Sequence, residues 1–186
     1  MEPGHDSVRP AFDPWLLAGT CGGIGYAPRA PGTFGALVGI PLSLATGGAA
    51  TWLATRFTDA AGAGGTTLLF EAGLVAIVCA LGIPICTRAA ARLGRGKDPG
   101  AVVFDEAAAL PLTLLVVPPS DRSVLVLAAA FVLFRVFDIW KPAPCRQLEG
   151  LPAGLGIMAD DWGAAAWAAA GLALARLAFA GSGATG

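Results

Sequence analysis

Charge is scarce in this chain, and histidine is scarcer. Of 186 residues, 13% are Asp, Glu, Lys or Arg, against about 25% in an ordinary soluble domain. The net charge of −1 creates no overall field to attract nucleic acid. The single histidine, His5, lies close to the N-terminus, so histidine acid–base chemistry and histidine-ligated zinc are poorly supported. The four cysteines, Cys21, Cys79, Cys86 and Cys145, form no C-x-x-C pair. That argues against structural zinc and for buried free thiols. "CTRAAAR" (86–92) has the C-x5-R spacing of cysteine phosphatases, but its alanines read as helix, which occupies the backbone N–H groups such a loop turns inward. "GRGKD" lacks the spacing and hydroxyl of a Walker A loop. No apolar core of a signal peptide appears in "MEPGHDSVRPAFDPW". Period-two alternation is missing, which speaks against strands.

Apolar residues are what the chain has: 55% of the total, for a mean hydropathy of +0.68. The spacing predicts helices over 33–46, 66–93, 103–117, 122–140 and 159–179. Thr33 after Pro-Gly, Asp121, and Asp160 with Asp161 read as helix starts. Pro41, "TGGAA" (46–50) and "GAGG" (62–65) read as breaks. The expected fold is all-α: a compact antiparallel helical bundle, membrane-embedded or membrane-associated. It forms a single domain over 15–180, with flexible segments at 1–14 and 181–186. Residues 36–55, 68–87 and 162–180 approach the ~20 apolar residues of a membrane span. The run 107–117 is only about 16 Å of helix, too short for a ~30 Å bilayer core.

Antiparallel neighbours with short connections gather the charges at one end. Arg29, Arg88, Arg92, Arg95, Lys97, Arg135, Lys141 and Arg146 meet there with Asp98, Asp105, Glu106, Asp138, Asp160 and Asp161. Arg56, Asp59, Glu71, Asp121, Arg122 and Arg176 stay at the other. Basic residues favour the cytoplasmic side of a membrane, so the charged end is expected to face the cytoplasm. Within "FRVFDIWKP" (134–142), Arg135 and Asp138 share a helix face and Lys141 follows just beyond.

Carboxylates converging without a cation repel one another and protonate. Hard divalent metals resolve this, and Mg²⁺ takes oxygen ligands while borrowing some from phosphate. Arginine suits phosphate geometry, and the glycine turn in "APRAPGTFG" feeds a helix N-terminus, where anions bind. Thr33 is there either a plain cap or a cap that also touches phosphate. Phosphate, Mg²⁺ and a membrane face together suggest a lipid phosphomonoesterase. Two other classes fit the composition: a non-catalytic membrane scaffold or lipid-binding protein whose acids are helix caps, and a phosphatase for another phosphate monoester.

"GYAPRAPGTFGALVGIP", "DPGAVVFDE", "FRVFDIWKP" and "GLGIMADD" together resemble the phosphatidylglycerophosphatase A family, in order and spacing, over roughly residues 15–175. The resemblance implies a Mg²⁺-dependent bacterial enzyme of the inner membrane that converts phosphatidylglycerophosphate to phosphatidylglycerol and inorganic phosphate. Its partners are then that substrate and membrane lipid, with no nucleic acid and no protein partner inferred. It implies metal and catalytic roles for Asp105, Glu106, Asp138, Asp160 and Asp161. It places Arg29, Thr33, Arg135 and Lys141 near the phosphate, with Lys141 also catalytic. Attack by water and an aspartyl-phosphate intermediate stay open alternatives. This chain departs from the family pattern at Ala109 in "DEAAAL" and at Ala153 in "AGLGIM", where glycine is usual. An added methyl at either is expected to tighten a helix contact without removing a charge.

Overall fold

The computed structural model describes residues 13–59, 63–94, 96 and 98–182. Arg95, Lys97, His5 and most of the two terminal segments expected to be flexible lie outside the described residues. The architecture is all-helical, with no strand among the described residues. Seven α-helices follow in order: α1 Pro14–Gly19, α2 Pro31–Phe57, α3 Ala63–Leu93, α4 Phe104–Leu114, α5 Val124–Trp140, α6 Cys145–Leu148 and α7 Ala153–Ser182. Two 3₁₀ turns, Ile24–Tyr26 and Pro119–Asp121, join them.

Helix α4 is the axle of the bundle. It packs against α2, α3, α5 and α7, and most of its residues are buried, from Asp105 to Leu114. Being too short to span a bilayer, it reaches a low-energy position only by surrounding itself with longer helices. One apolar cluster joins it to α5 and α7 through Leu110, Leu114, Phe134, Ala165 and Leu172. Another joins it to α3 and α7 through Val75, Cys86, Ala108 and Met158. Ala109 sits inside the first cluster without exposure. The bundle thus holds the first turn of α4, with Asp105 and Glu106, at one end of its axis.

Helix boundaries differ from the sequence expectation in α2, α5 and α7. Helix α2 runs to Phe57, straight through Pro41 and Gly47-Gly48. Proline removes one backbone donor, but burial of Gly39, Ser43, Thr46 and Gly47 against neighbouring helices outweighs that loss. Gly47 is a close contact and not a break: a Cβ there would stand 2.7 Å from Arg122 Nη1. Thr33 is not a cap. Ala30, in the left-handed region at φ 48°, precedes the helix, and Thr33 lies in its first turn. Helix α7 begins at Ala153, so Asp160 and Asp161 do not open it but lie in its third turn. Residues 153–158 lie outside the expected helix 159–179, yet Gly154 is there for contact: a Cβ would meet the Ile83 carbonyl oxygen at 2.2 Å. Helix α5 likewise starts after Asp121, with Ser123 as its cap.

Helices α2 and α3 are long and apolar enough to cross a membrane. The outer face of α3 shows Leu68, Leu69, Ile77 and Leu81 before its first exposed charge, Arg88. Leu125, Val132, Val136 and Ile139 make an unbroken apolar stripe on α5. At the end away from α4's first turn, Arg122 and Glu71 form a buried bidentate pair, Nη1–Oε1 at 2.7 Å and Nη2–Oε2 at 2.8 Å. Arg122 also donates to the carbonyls of Ser43, Leu114 and Val117. Arg176 pairs with Asp121 nearby in sequence to that cluster, at 2.7 Å.

Candidate active site

The first turn of α4 places Asp105 and Glu106 beside Asp161 from α7. One carboxylate oxygen from each lies within 4.8 Å of the others. Adjacent helical residues diverge by about 100°, so Asp105 and Glu106 reach the same point by different paths. Asp105 Oδ1, Glu106 Oε2 and Asp161 Oδ2 are buried without a hydrogen-bond partner among the described residues. Such atoms are costly unless something satisfies them.

Burial is the first cause of the raised pKa values of Asp105 and Asp161, with the Glu106 charge next for each. Glu106 is also raised, by burial and by Asp138, while Arg135 pulls it back. Three hard oxygen donors, close together and unsatisfied, fit a divalent cation of the Mg²⁺ kind. Asp105, Glu106 and Asp161 are the residues that would hold it.

Space for this cluster comes from α2. A Cβ on Gly32 would sit 2.1 Å from Glu106 Oε1 and 3.2 Å from Arg135 Nη1. Glycine in "PGTFG" therefore lets the α2 start close over the acid and the guanidinium together. That contact was not legible from the cap signature alone.

Asp138 and Asp160 stand differently. Each is bonded to a cation: Asp138 Oδ2 accepts from Arg135 Nη1 at 2.6 Å, and Asp160 Oδ2 accepts from Lys141 Nζ at 2.7 Å. Arg135 Nη1 also lies 4.0 Å from Glu106 Oε1. Lys141 caps α5 in the left-handed region, φ 47°, which turns its side chain from α5 across to α7. Burial lowers its pKa, but Asp160 and Glu149 more than offset this and hold it above the ordinary lysine value. Asp160 is raised by burial, with Lys141 opposing, and its Oδ1 has no partner among the described residues.

The structure does not bring every expected residue to this point. Arg29 is exposed and makes no ion pair among the described residues. Thr33 is half-buried one residue after Gly32. Arg88 lies over the Trp15 ring at 4.3 Å and Arg92 pairs with Asp13, so both anchor α1. Glu149, absent from the sequence reading, lies 3.3 Å from Lys141 Nζ. Its setting, "QLEGLP", carries no motif, and only the fold brings it to Lys141. Cys86 is buried within α3 beside Met158 Sδ at 3.7 Å, not in a phosphate loop, and all four cysteines are free.

A cavity of about 910 Å³, lined by Trp52, Thr55, Leu68, Glu71, Leu115 and Val116 among others, belongs to the other end of the bundle. Its α2 wall begins at Gly48, about 24 Å along the helix from Gly32. Size alone would make it the site, but it has no cluster of acids, so the chemistry points to the α4 end.

The chain matches the phosphatidylglycerophosphatase A family over residues 17–176. A protein of Bacteroides thetaiotaomicron, provisionally named a phosphatidylinositol-3-phosphatase, is 38% identical over 154 residues, covering 82% of this chain and 87% of the relative. Phosphatidylglycerophosphatase A of Escherichia coli is 32% identical over 150 residues (80% and 76%). That of Haemophilus influenzae is 35% identical over 153 residues (78% of each). No solved structure matches the chain. With a match that runs from α1 into the last turns of α7 and takes in every acid of the cluster, this chain belongs to the phosphatidylglycerophosphatase A family, and with it to the phosphatases.

Proposed function

We propose that the chain hydrolyses the terminal phosphate of phosphatidylglycerophosphate, with Mg²⁺, to give phosphatidylglycerol and inorganic phosphate. The observation that carries this reading is the meeting of Asp105, Glu106 and Asp161, three buried carboxylates with unpartnered oxygens, beside Arg135 and Lys141. The two relatives named phosphatidylglycerophosphatase A support the substrate.

The residues divide into two sets. Asp105, Glu106 and Asp161 would hold the cation, which would supply Lewis-acid charge neutralisation. Asp138 and Asp160 hold Arg135 and Lys141 in place. Arg135 and Lys141 bind phosphate oxygens and stabilise charge as it develops on them. Arg29 and Thr33, at the start of α2, belong to the rim where the headgroup enters. The acyl chains stay with the bilayer beside the apolar faces of α2 and α5. Residues 15–180 act as one domain in the bacterial inner membrane, with the site on the cytoplasmic side where the basic residues gather.

Phosphate release from phosphatidylglycerophosphate in mixed micelles, with Mg²⁺ and then with excess EDTA, tests the reading. Mg²⁺-dependent release is expected. Folded protein that releases none overturns it. Phosphatidylinositol 3-phosphate is the second substrate to run alongside, because the Bacteroides relative carries that name. A higher kcat/KM on the inositol lipid would move the assignment to it. Rapid-quench trapping of labelled phosphate on the protein separates an aspartyl-phosphate from direct attack by water.

A further inference from the structure

Lys141 is held by two carboxylates of unequal character. Asp160 is nearly buried and takes the ammonium at 2.7 Å. Glu149 is half-exposed, stands at 3.3 Å, and follows α6 on the segment that joins α5 to α7. The Lys141 side chain is itself 27% exposed, against 7% for Asp160 and 51% for Glu149. The ammonium therefore has a fixed inner partner and a loose outer one. An ammonium has three donors, and a phosphate arriving from the solvent side meets Lys141 where Glu149 already is. Arg135, the other cation, has no such outer partner: its two acids, Asp138 and Glu106, both have side chains only 15% exposed.

We propose that Glu149 is a placeholder for the substrate phosphate: its carboxylate neutralises the outer side of Lys141 in the resting protein and gives way when a phosphomonoester binds. Glu149 is a positioning residue that acts through Lys141, and it sets how tightly phosphate is held. Two anions on the outer side of the ammonium repel each other, so phosphate binding there favours withdrawal of Glu149. The exposed position of Glu149 leaves the side chain room to do so. When product phosphate leaves, Glu149 returns to Lys141, which favours release.

This inference rests on the phosphatase reading above. Its test is Glu149→Gln, compared with wild type on phosphatidylglycerophosphate in mixed micelles with Mg²⁺, and with inorganic phosphate as product inhibitor. KM and the inhibition constant for inorganic phosphate are both expected to fall roughly two- to five-fold, the size that a half-exposed ion pair supports, while kcat changes by less. Asp160→Asn is the contrast: KM rises, because the inner partner that aims Lys141 is lost. An unchanged or raised KM in Glu149→Gln, with wild type active, overturns the placeholder and leaves the phosphatase reading intact. A folded wild type that releases no phosphate from either lipid overturns both. A circular-dichroism melt of Glu149→Gln that matches wild type ties the kinetic change to the ion pair and not to the fold.

Discussion

Two buried charge clusters lie at opposite ends of the same bundle, and they are built on opposite terms. At one end Arg122 and Glu71 neutralise each other through two short contacts, and the remaining arginine donors are taken up by backbone carbonyls. At the other end Asp105, Glu106 and Asp161 face one another with unpartnered oxygens and raised pKa values. At the first end each buried charge faces its opposite at close range. A buried charge kept unpaired costs stability and persists only where a ligand completes it. The difference between a strut and a site is thus one of charge: opposite charges meet at one end and like charges at the other.

The largest expected effect comes from breaking the strut. Glu71→Ala leaves Arg122 buried and uncompensated, and should lower unfolding stability in detergent by about 3–5 kcal/mol. Replacing both partners with apolar residues should recover most of that loss, because no charge is then stranded. Breaking the site should do the reverse. Asp161→Asn should reduce phosphate release by roughly 10²–10³-fold while leaving the melting temperature equal to or above that of metal-free wild type, since one repelling charge is gone. A melting temperature that falls as far as in Glu71→Ala would mean that the acids are structural.

Mg²⁺ should act at the acid end alone. If the cation binds the folded protein alone, a concentration of 100 times Kd adds about 2.7 kcal/mol to its stability, and Asp161→Asn should abolish that increment. The pH sign follows from the raised pKa values. The folded protein binds more protons than the unfolded chain between the ordinary carboxylate range and the raised values, so metal-free protein loses stability as pH rises through that window. Cations compete with those protons, so stabilisation by Mg²⁺ should grow with rising pH. Thermal melts with and without Mg²⁺ across that window check both signs. Stabilisation by Mg²⁺ that weakens as pH rises would show that the ion binds elsewhere.

The smallest effect tests a single backbone angle. Ala153 sits at φ 51°, a left-handed conformation that costs an L-residue roughly 1 kcal/mol and glycine very little. Ala153→Gly should therefore stabilise the protein by up to about 1 kcal/mol, read as a small rise in melting temperature. The expected penalty of the alanine was a crowded helix contact; the structure assigns it to the backbone at the first residue of α7. Ala109, by contrast, is a packed member of the core.

Much of the site was legible in the chain. Asp105 and Glu106 in a first helical turn and Asp138 near a helix end follow from local signals, and the structure keeps both. The sequence presents Asp160 and Asp161 as a helix start, because two acids precede the apolar run "WGAAAWAAAGLALA". Their true place, inside α7, removes capping as their explanation. Glu149 was beyond reach, since nothing in "QLEGLP" points to Lys141. Gly32 was read only as part of a turn, since its partner Glu106 is 74 residues away in the chain.

What the sequence determined by itself was the class of the molecule and its chemistry: apolar helices, few charges, carboxylates in place of histidine, and most charges gathered at one end by simple antiparallel tracing. Those properties depend on composition, short-range spacing and the family motifs, which a chain displays without folding. The tertiary structure decided which carboxylates meet. Three converge with unpartnered oxygens and two are hydrogen-bonded to cations, because burial and distance are set by how α2, α4, α5 and α7 pack, and helix packing is governed by contacts between residues far apart in the chain.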